Sequence, residues 1–158
     1  MIRQVLFVCT GNICRSPLAE ALLRRAVEER GLGVTVGSAG TGAWEGAPAS
    51  EGAYLVALEH GLDLSAHRAR LLSRDLVETS DLVLTMARHH RARVDELGGA
   101  GRVQVLGEYA GVAAADAEVG DPFGGDLEIY RETFRQLVQL IGAVAERLAA
   151  EAGSGDPG

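Results

Sequence analysis

Apolar and polar positions along the chain alternate between two periods. Gln4 to Val8 is a continuous apolar run of strand length, as expected for a strand covered on both faces of a parallel sheet. Ser16-Pro17 then offers a capping hydroxyl followed by proline at a first helical position. Leu18, Leu22, Leu23 and Ala26 form a helical stripe that Gly31 should stop. Val34–Val36, Asp81–Met86 (DLVLTM) and Val103–Leu106 are the next strands. Helices are predicted over Ser50–His60 (closed by Gly61), Ser73–Glu78 and Ala87–Leu97. Gly37–Ala49 and Gly107–Gly125 have loop composition. Asp126–Glu151 is the strongest helix, with Leu127, Tyr130, Phe134, Leu137, Ile141, Val144 and Leu148 at helical spacing.

Strands alternating with helices predict an α/β fold: one parallel sheet, doubly wound, with helices on both faces. Such sheets bind ligands beyond the carboxyl ends of their strands, near a switch in strand order. Cys9 sits at that end of the first strand. The length of 158 residues suits one domain, taken as 1–152, with a Gly-, Asp- and Pro-containing tail at 153–158 expected to be disordered.

Charge and cysteine content narrow the chemistry. The net charge is −7, which disfavours nonspecific nucleic-acid binding. All 15 basic residues are arginine, and this composition indicates no function. No apolar stretch approaches the ~20 residues of a membrane span. No basic, apolar and small-residue leader pattern opens the chain, so a cytoplasmic protein with no membrane association is the expectation. The two cysteines, Cys9 and Cys14, are too few for a zinc site and too close for a structural disulfide, so both should be thiols in a reducing compartment.

The stretch Cys9-Thr-Gly-Asn-Ile-Cys-Arg15-Ser16 joins a strand to a helix N-terminus. Consecutive backbone N–H groups in such a loop can curl around an anion, and the helix adds its positive end. Gly11 allows close approach and unusual dihedrals, and Asn12 tolerates a left-handed conformation. The planar fork of Arg15 matches two phosphate oxygens. A thiol at the base of this loop would be held as thiolate by the same positive surroundings. The expected product is an anion pocket with a nucleophile at its floor. A phosphate-ester leaving group also needs a proton. In the second long loop, Asp121-Pro-Phe-Gly-Gly125 offers a carboxylate of fixed local backbone followed by an aromatic, with Asp116 the weaker competitor.

These motifs resemble the low-molecular-weight protein tyrosine phosphatases of bacterial type: VCTGNICRSP their phosphate-binding loop, and DPFGG their acid loop. SAGT at 38–41 and HGLDLSAHRAR at 60–70 extend the likeness over roughly residues 4–150. The resemblance implies a four-stranded parallel sheet in the flavodoxin-like order 2-1-3-4. It implies that Cys9 attacks phosphorus to form a cysteinyl-phosphate, while Arg15 and the backbone of Thr10, Gly11, Asn12, Ile13 and Cys14 bind the phosphoryl oxygens. Ser16 would hold the Cys9 sulfur, and Asp121 would protonate the leaving oxygen and then activate water. Asn12, Ser38 and His67 would support the loop, making His67 structural rather than a general base. Cys14 would be the redox partner that can bond Cys9 under oxidation. No metal or cofactor is required, the substrate is a phosphorylated protein or small phosphomonoester, and inorganic phosphate is the product.

By the same resemblance Trp44, Ile13 and Phe123 line the substrate cleft. Phe123 and Gly124 stand where animal members carry a tyrosine pair, and Gly-Gly resembles bacterial members, including protein arginine phosphatases. Those carry threonine where this chain has Ile13, whose apolar branch suits an aryl ring. The expectation is therefore phosphotyrosine or an aryl phosphate, with phosphoarginine as the alternative. A thioredoxin-coupled arsenate reductase would need cysteines beyond Cys14, and a non-catalytic phosphate-binding module would need neither Cys9 nor Asp121.

Overall fold

The computed structural model describes residues 1–154. Four parallel strands, β1 (Gln4–Cys9), β2 (Thr35–Gly40), β3 (Leu82–Thr85) and β4 (Val103–Val105), form one sheet in the order β2-β1-β3-β4. Period-two alternation along β1 divides the core. Val5, Phe7 and Cys9 join one apolar cluster, and Leu6 and Val8 join the other. The first cluster is filled from α1 (Arg15–Arg30), α2 (Glu51–Glu59) and α6 (Leu127–Ser154). The second is filled from α3 (Arg74–Thr79) and α4 (Arg88–Val94). The expected doubly wound α/β fold and strand order are therefore present.

The stripe on α6 behaves as its spacing predicts. Tyr130, Phe134, Leu137, Ile141, Val144 and Leu148 are buried, and Leu127 is partly buried against the same cluster. Each such side chain contributes about 1.5–3 kcal/mol on leaving water. Gly31 ends α1 in the left-handed conformation (φ 63°), where a glycine meets no Cβ penalty.

Several boundaries differ from the sequence expectations. α1 begins at Arg15, with Cys14 at the capping position and no side chain bonded to the helix end. Ser16 is therefore inside the first turn and caps nothing. Its hydroxyl is engaged elsewhere, which leaves the helix's first amides without a side-chain acceptor. β2 runs on through Gly40, into the stretch with loop composition, because its outer partner is supplied from a distance: Gly40 bridges to Leu71. The helix after β3 ends at Val94 and passes into a wider turn over Asp95–Gly99. The loop expected over 107–125 holds the short helix α5 (Leu106–Tyr109) and a single 3-10 turn at Ala114–Asp116. α6 extends through Ser154, and the remainder of the expected tail lies outside the described residues.

Gly40 is the point at which the sheet touches the loop after β1. A Cβ built there would stand 2.4 Å from the Thr10 carbonyl oxygen and 2.9 Å from the Asn12 amide nitrogen. Backbone this close cannot yield without moving the loop. Gly40→Ala is expected to leave a folded protein, destabilised by about 1–3 kcal/mol, with the phosphate-ester hydrolysis that the sequence resemblance implies reduced at least tenfold. Gly33→Ala, which meets nothing within 4 Å, should change neither. Circular dichroism melts and p-nitrophenyl phosphate assays on the pair check this.

Candidate active site

The loop between β1 and α1 closes on itself around Cys9. Asn12 adopts φ 55° and is the one non-glycine residue with positive φ among the described residues. The left-handed turn is thus made by Asn12 and not by Gly11, whose φ is not positive. Asn12 can hold this conformation because its side chain is fully engaged. Its Oδ1 accepts from the Arg70 amide (2.9 Å), which orients Nδ2 toward two hydroxyls, Ser16 Oγ (2.8 Å) and Ser38 Oγ (2.9 Å). His67 Nε2–H donates to the Asn12 carbonyl (2.6 Å).

This arrangement assigns the protons. Ser16 Oγ accepts from Asn12, so its own hydrogen is available for Cys9 Sγ, 2.9 Å away. The Asn12 amide adds a second donor to the sulfur at 3.3 Å. Ser38, accepting from Asn12, donates onward to Glu20, which also pairs with Arg24. Cys9 is only 2% exposed. It is the floor of the loop, bearing two hydrogen-bond donors that suit an ionised sulfur.

The walls of the loop carry positive charge. The amides of Gly11, Ile13, Cys14, Arg15 and Ser16 meet no protein acceptor among the described residues. Arg15 is 4% exposed. Its Nη1 donates to the Val119 carbonyl (2.9 Å), its Nη2 lies 3.7 Å from Asp121, and its buried Nε has no partner. A buried guanidinium nitrogen without an acceptor is costly unless a ligand supplies one. Together these groups form a cup fit for a tetrahedral oxyanion above the sulfur.

Asp121 stands at the rim, half-exposed, with Oδ1 accepting from the Phe123 amide (3.0 Å). Asp116 lies in the exposed 3-10 turn, and it is Asp121 that meets Arg15. The segment around Trp44 is tied to the cup by Thr41 N–H to Cys9 O (3.0 Å) and Gly42 N–H to Thr10 O (2.9 Å). Trp44 is 85% exposed, so it is no core residue, and Phe123 is 65% exposed. Ile13 is half-buried between the cup and the apolar cluster. Cys9 and Cys14 are both free thiols. Among the described residues no cluster of three or more His, Cys, Asp or Glu is placed to hold a metal ion.

Three sets of contributors, four residues in all, were not visible in the sequence. Glu20 ends the Asn12–Ser38 chain. Ser50 and Tyr130 both reach Cys14 Sγ, at 3.1 and 3.4 Å. Burial, foremost, raises the Cys14 thiol above its usual range and pushes the Tyr130 phenol up to about 12, so both keep their protons near neutral pH. The third is His90, fully buried. Its Nδ1 accepts from the Ala87 amide (3.1 Å), so the proton sits on Nε2 and is donated to Thr10 Oγ1 (2.9 Å). In the sequence, Ser50 reads only as a helix start and Tyr130 only as part of the α6 stripe, and Glu20 and His90 have no role.

The fold and the cup define a cysteine-dependent enzyme of phosphate esters, built on a doubly wound sheet. The low molecular weight phosphotyrosine protein phosphatase family matches residues 4–154, and the chain belongs to that family. It is a phosphatase, taking phosphorylated protein to free phosphate. A protein-arginine-phosphatase of Bacillus subtilis (strain 168) is 39% identical over 91% of this chain and 95% of its own. The low molecular weight protein-tyrosine-phosphatase PtpB of Staphylococcus haemolyticus is 38% identical over 88% and 95%. Among solved structures, the YwlE arginine phosphatase from Geobacillus stearothermophilus superposes with TM-score 0.88 at 36% identity, covering 99% of each chain.

His90 gives the site a pH signature. Burial, then the charges of His89 and Arg15, lower it from 6.5 to about 4. A histidine lowered on folding is bound by more protons in the unfolded chain, so its contribution is full above pH ~6.5 and is lost as pH falls toward 4. The urea midpoint should therefore decline across pH 6.5 to 4. His90→Gln should flatten that decline. An unaltered slope in the variant would remove His90 as its cause.

Proposed function

We propose that this enzyme hydrolyses phosphotyrosine in proteins, and small aryl phosphates, through a cysteinyl-phosphate on Cys9. The observation that carries the reading is one loop that holds both a buried, unpartnered Arg15 Nε and a Cys9 sulfur that already receives two donors. A phosphoryl group entering the cup would meet the free amides of Gly11, Ile13, Cys14 and Arg15 and the guanidinium of Arg15. These are fixed donors that need no reorganisation as charge spreads over the equatorial oxygens. Cys9 attacks in line and the P–O bond to the leaving group breaks. Asp121 supplies its proton and, now ionised, takes one from the water that hydrolyses the thiophosphate. Cys9 then leaves as a thiolate stabilised by Ser16 Oγ–H and Asn12 N–H. Thr10 to Cys14 bind through backbone, whereas Asn12, Ser38 and His67 hold the loop's shape.

Support for an aryl substrate comes from the rim. Trp44 and Phe123 are large aromatics left exposed on two loops, one tied to the cup by backbone bonds and the other through Asp121 to Arg15. A phenyl ring between them would gain about 0.5–1.5 kcal/mol per aromatic contact beyond its area. Ile13 offers it an apolar floor and no hydroxyl. The second reading, phosphoarginine, is favoured by the arginine-phosphatase relatives and by the lowered wall at Gly124. Cys14 is the proposed redox partner of Cys9, kept as a protonated, unreactive thiol by burial until Cys9 is oxidised. We place the enzyme in the cytoplasm, where both thiols stay reduced. No helix among the described residues is long and apolar enough to cross a membrane. The acidic surface offers little to nucleic acid.

Cys9→Ser is expected to lower p-nitrophenyl phosphate hydrolysis on the order of 10⁴-fold or more, with inorganic phosphate still bound. Normal turnover in that variant would exclude Cys9 as nucleophile. Asp121→Ala should slow esters with poor leaving groups by about 10²–10⁴-fold and good ones far less; a small uniform effect would transfer the acid role to Asp116.

Rates on phosphotyrosine and phosphoarginine peptides compared side by side should favour phosphotyrosine. Ile13→Thr should move the ratio toward phosphoarginine by about tenfold, the worth of one hydrogen bond. A wild-type preference for phosphoarginine would overturn the aryl assignment.

A further inference from the structure

The residue that follows the nucleophile is held from outside the cup by a group the chemistry above does not use. His90 lies beyond β3, in the first turn of α4, and its ring packs against that of His89 at 4.0 Å between centroids. Its two nitrogens are committed in one sense only: Nδ1 to the Ala87 amide, Nε2–H to Thr10 Oγ1. One residue before Ala87, the Met86 carbonyl accepts the Val119 amide at 2.9 Å, and the Val119 carbonyl in turn accepts Arg15 Nη1. Val119 precedes Asp121 by two residues. The corner spanning 86–90 thus grips both the loop that carries the cysteine and the segment that carries the acid.

We propose that His90 is a positioning residue that sets the register between the Cys9 loop and the Asp121 loop, acting through the Thr10 hydroxyl. The inference rests on the assignment of Cys9 as nucleophile and Asp121 as acid. His90 touches no reacting atom. Its effect is geometric: in-line transfer requires sulfur, phosphorus and the leaving oxygen to align, and misplacement of about 1 Å costs on the order of a hundredfold in rate. Thr10 adjoins Cys9 in the chain, so the orientation of one limits the other. A neutral imidazole suits this position. It supplies one donor and one acceptor without a second positive charge beside Arg15, which would compete for Asp121. The groups facing the ring, His89, Arg15, Glu118 and Asp121, come from three separate segments, and the corner is where they meet.

The test is steady-state kinetics on p-nitrophenyl phosphate and phenyl phosphate with wild type, Cys9→Ser, His90→Leu, His90→Gln, Thr10→Val and the His90→Leu/Thr10→Val double variant, plus inhibition by inorganic phosphate. His90→Leu and Thr10→Val should each lower kcat about tenfold, more for phenyl phosphate, while KM and phosphate inhibition stay within about twofold. The double variant should be no slower than the worse single variant, because one bond is removed either way. His90→Gln, which keeps a donor toward Thr10, should recover to within about threefold of wild type. Multiplying defects in the double variant, unchanged kcat in either single variant, or equal losses of kcat and phosphate affinity would each overturn the proposal. If His90→Leu fails to fold, Thr10→Val and His90→Gln carry the same test. Cys9→Ser separates the two assignments: an active Cys9→Ser enzyme defeats the nucleophile itself. An inactive Cys9→Ser beside a fully active His90→Leu defeats only the role of His90.

Discussion

Asn12 is the hinge on which the site turns. A non-glycine residue in the left-handed region is strained unless its surroundings over-determine it. Here every polar group of the residue is used: carbonyl to His67, amide to Cys9 Sγ, Oδ1 to the Arg70 amide and Nδ2 to Ser16 and Ser38. A fully satisfied buried network of this kind specifies one geometry, whereas a partly satisfied one would leave the loop free to open. The turn at Asn12 points its own amide at the Cys9 sulfur. The direction of its side-chain amide decides that Ser16 gives its proton to sulfur. The shape of the loop and the donors that reach the Cys9 sulfur are therefore consequences of a single residue's hydrogen bonding.

The strand order supplies the remainder. In the order β2-β1-β3-β4, the chain leaves β1 toward one edge and returns to β3 on its other side. The loops after β1 and β3 diverge there, opening a crevice at the carboxyl ends. Into that crevice come the acid segment, through Val119 and Met86, and the Trp44 segment, through Thr41 and Gly42. The sheet edge bears on the loop through Gly40, where there is no room for a side chain.

Two thiols five positions apart meet different partners. Cys9 faces a hydroxyl and an amide aimed at it. Cys14 points into the apolar cluster, where Ser50 and Tyr130 bond it but burial dominates and keeps its proton on. One loop thus holds two buried thiols of the same apolar cluster in different surroundings, because the strand-to-helix turn gives each its own hydrogen-bond partners.

The contiguous features were legible in the chain itself: the buried strands, the α6 stripe, the stop at Gly31, and an eight-residue loop whose chemistry lies in consecutive positions. Their physics is local, set by periodicity, backbone freedom and turn geometry over a few residues. Ser16 shows the boundary of that reasoning. Helix-start rules made its hydroxyl a cap, but Asn12 and Cys9, four and seven positions back in the same loop, claim it instead. The pairings of Thr10 with His90 across 80 positions and of Cys14 with Tyr130 across 116, like the reach of Glu20 to Ser38, depend on which strands lie side by side. No spacing rule encodes them, since a hydrogen bond over such a separation exists only once the sheet has brought its ends within 3 Å or so of each other.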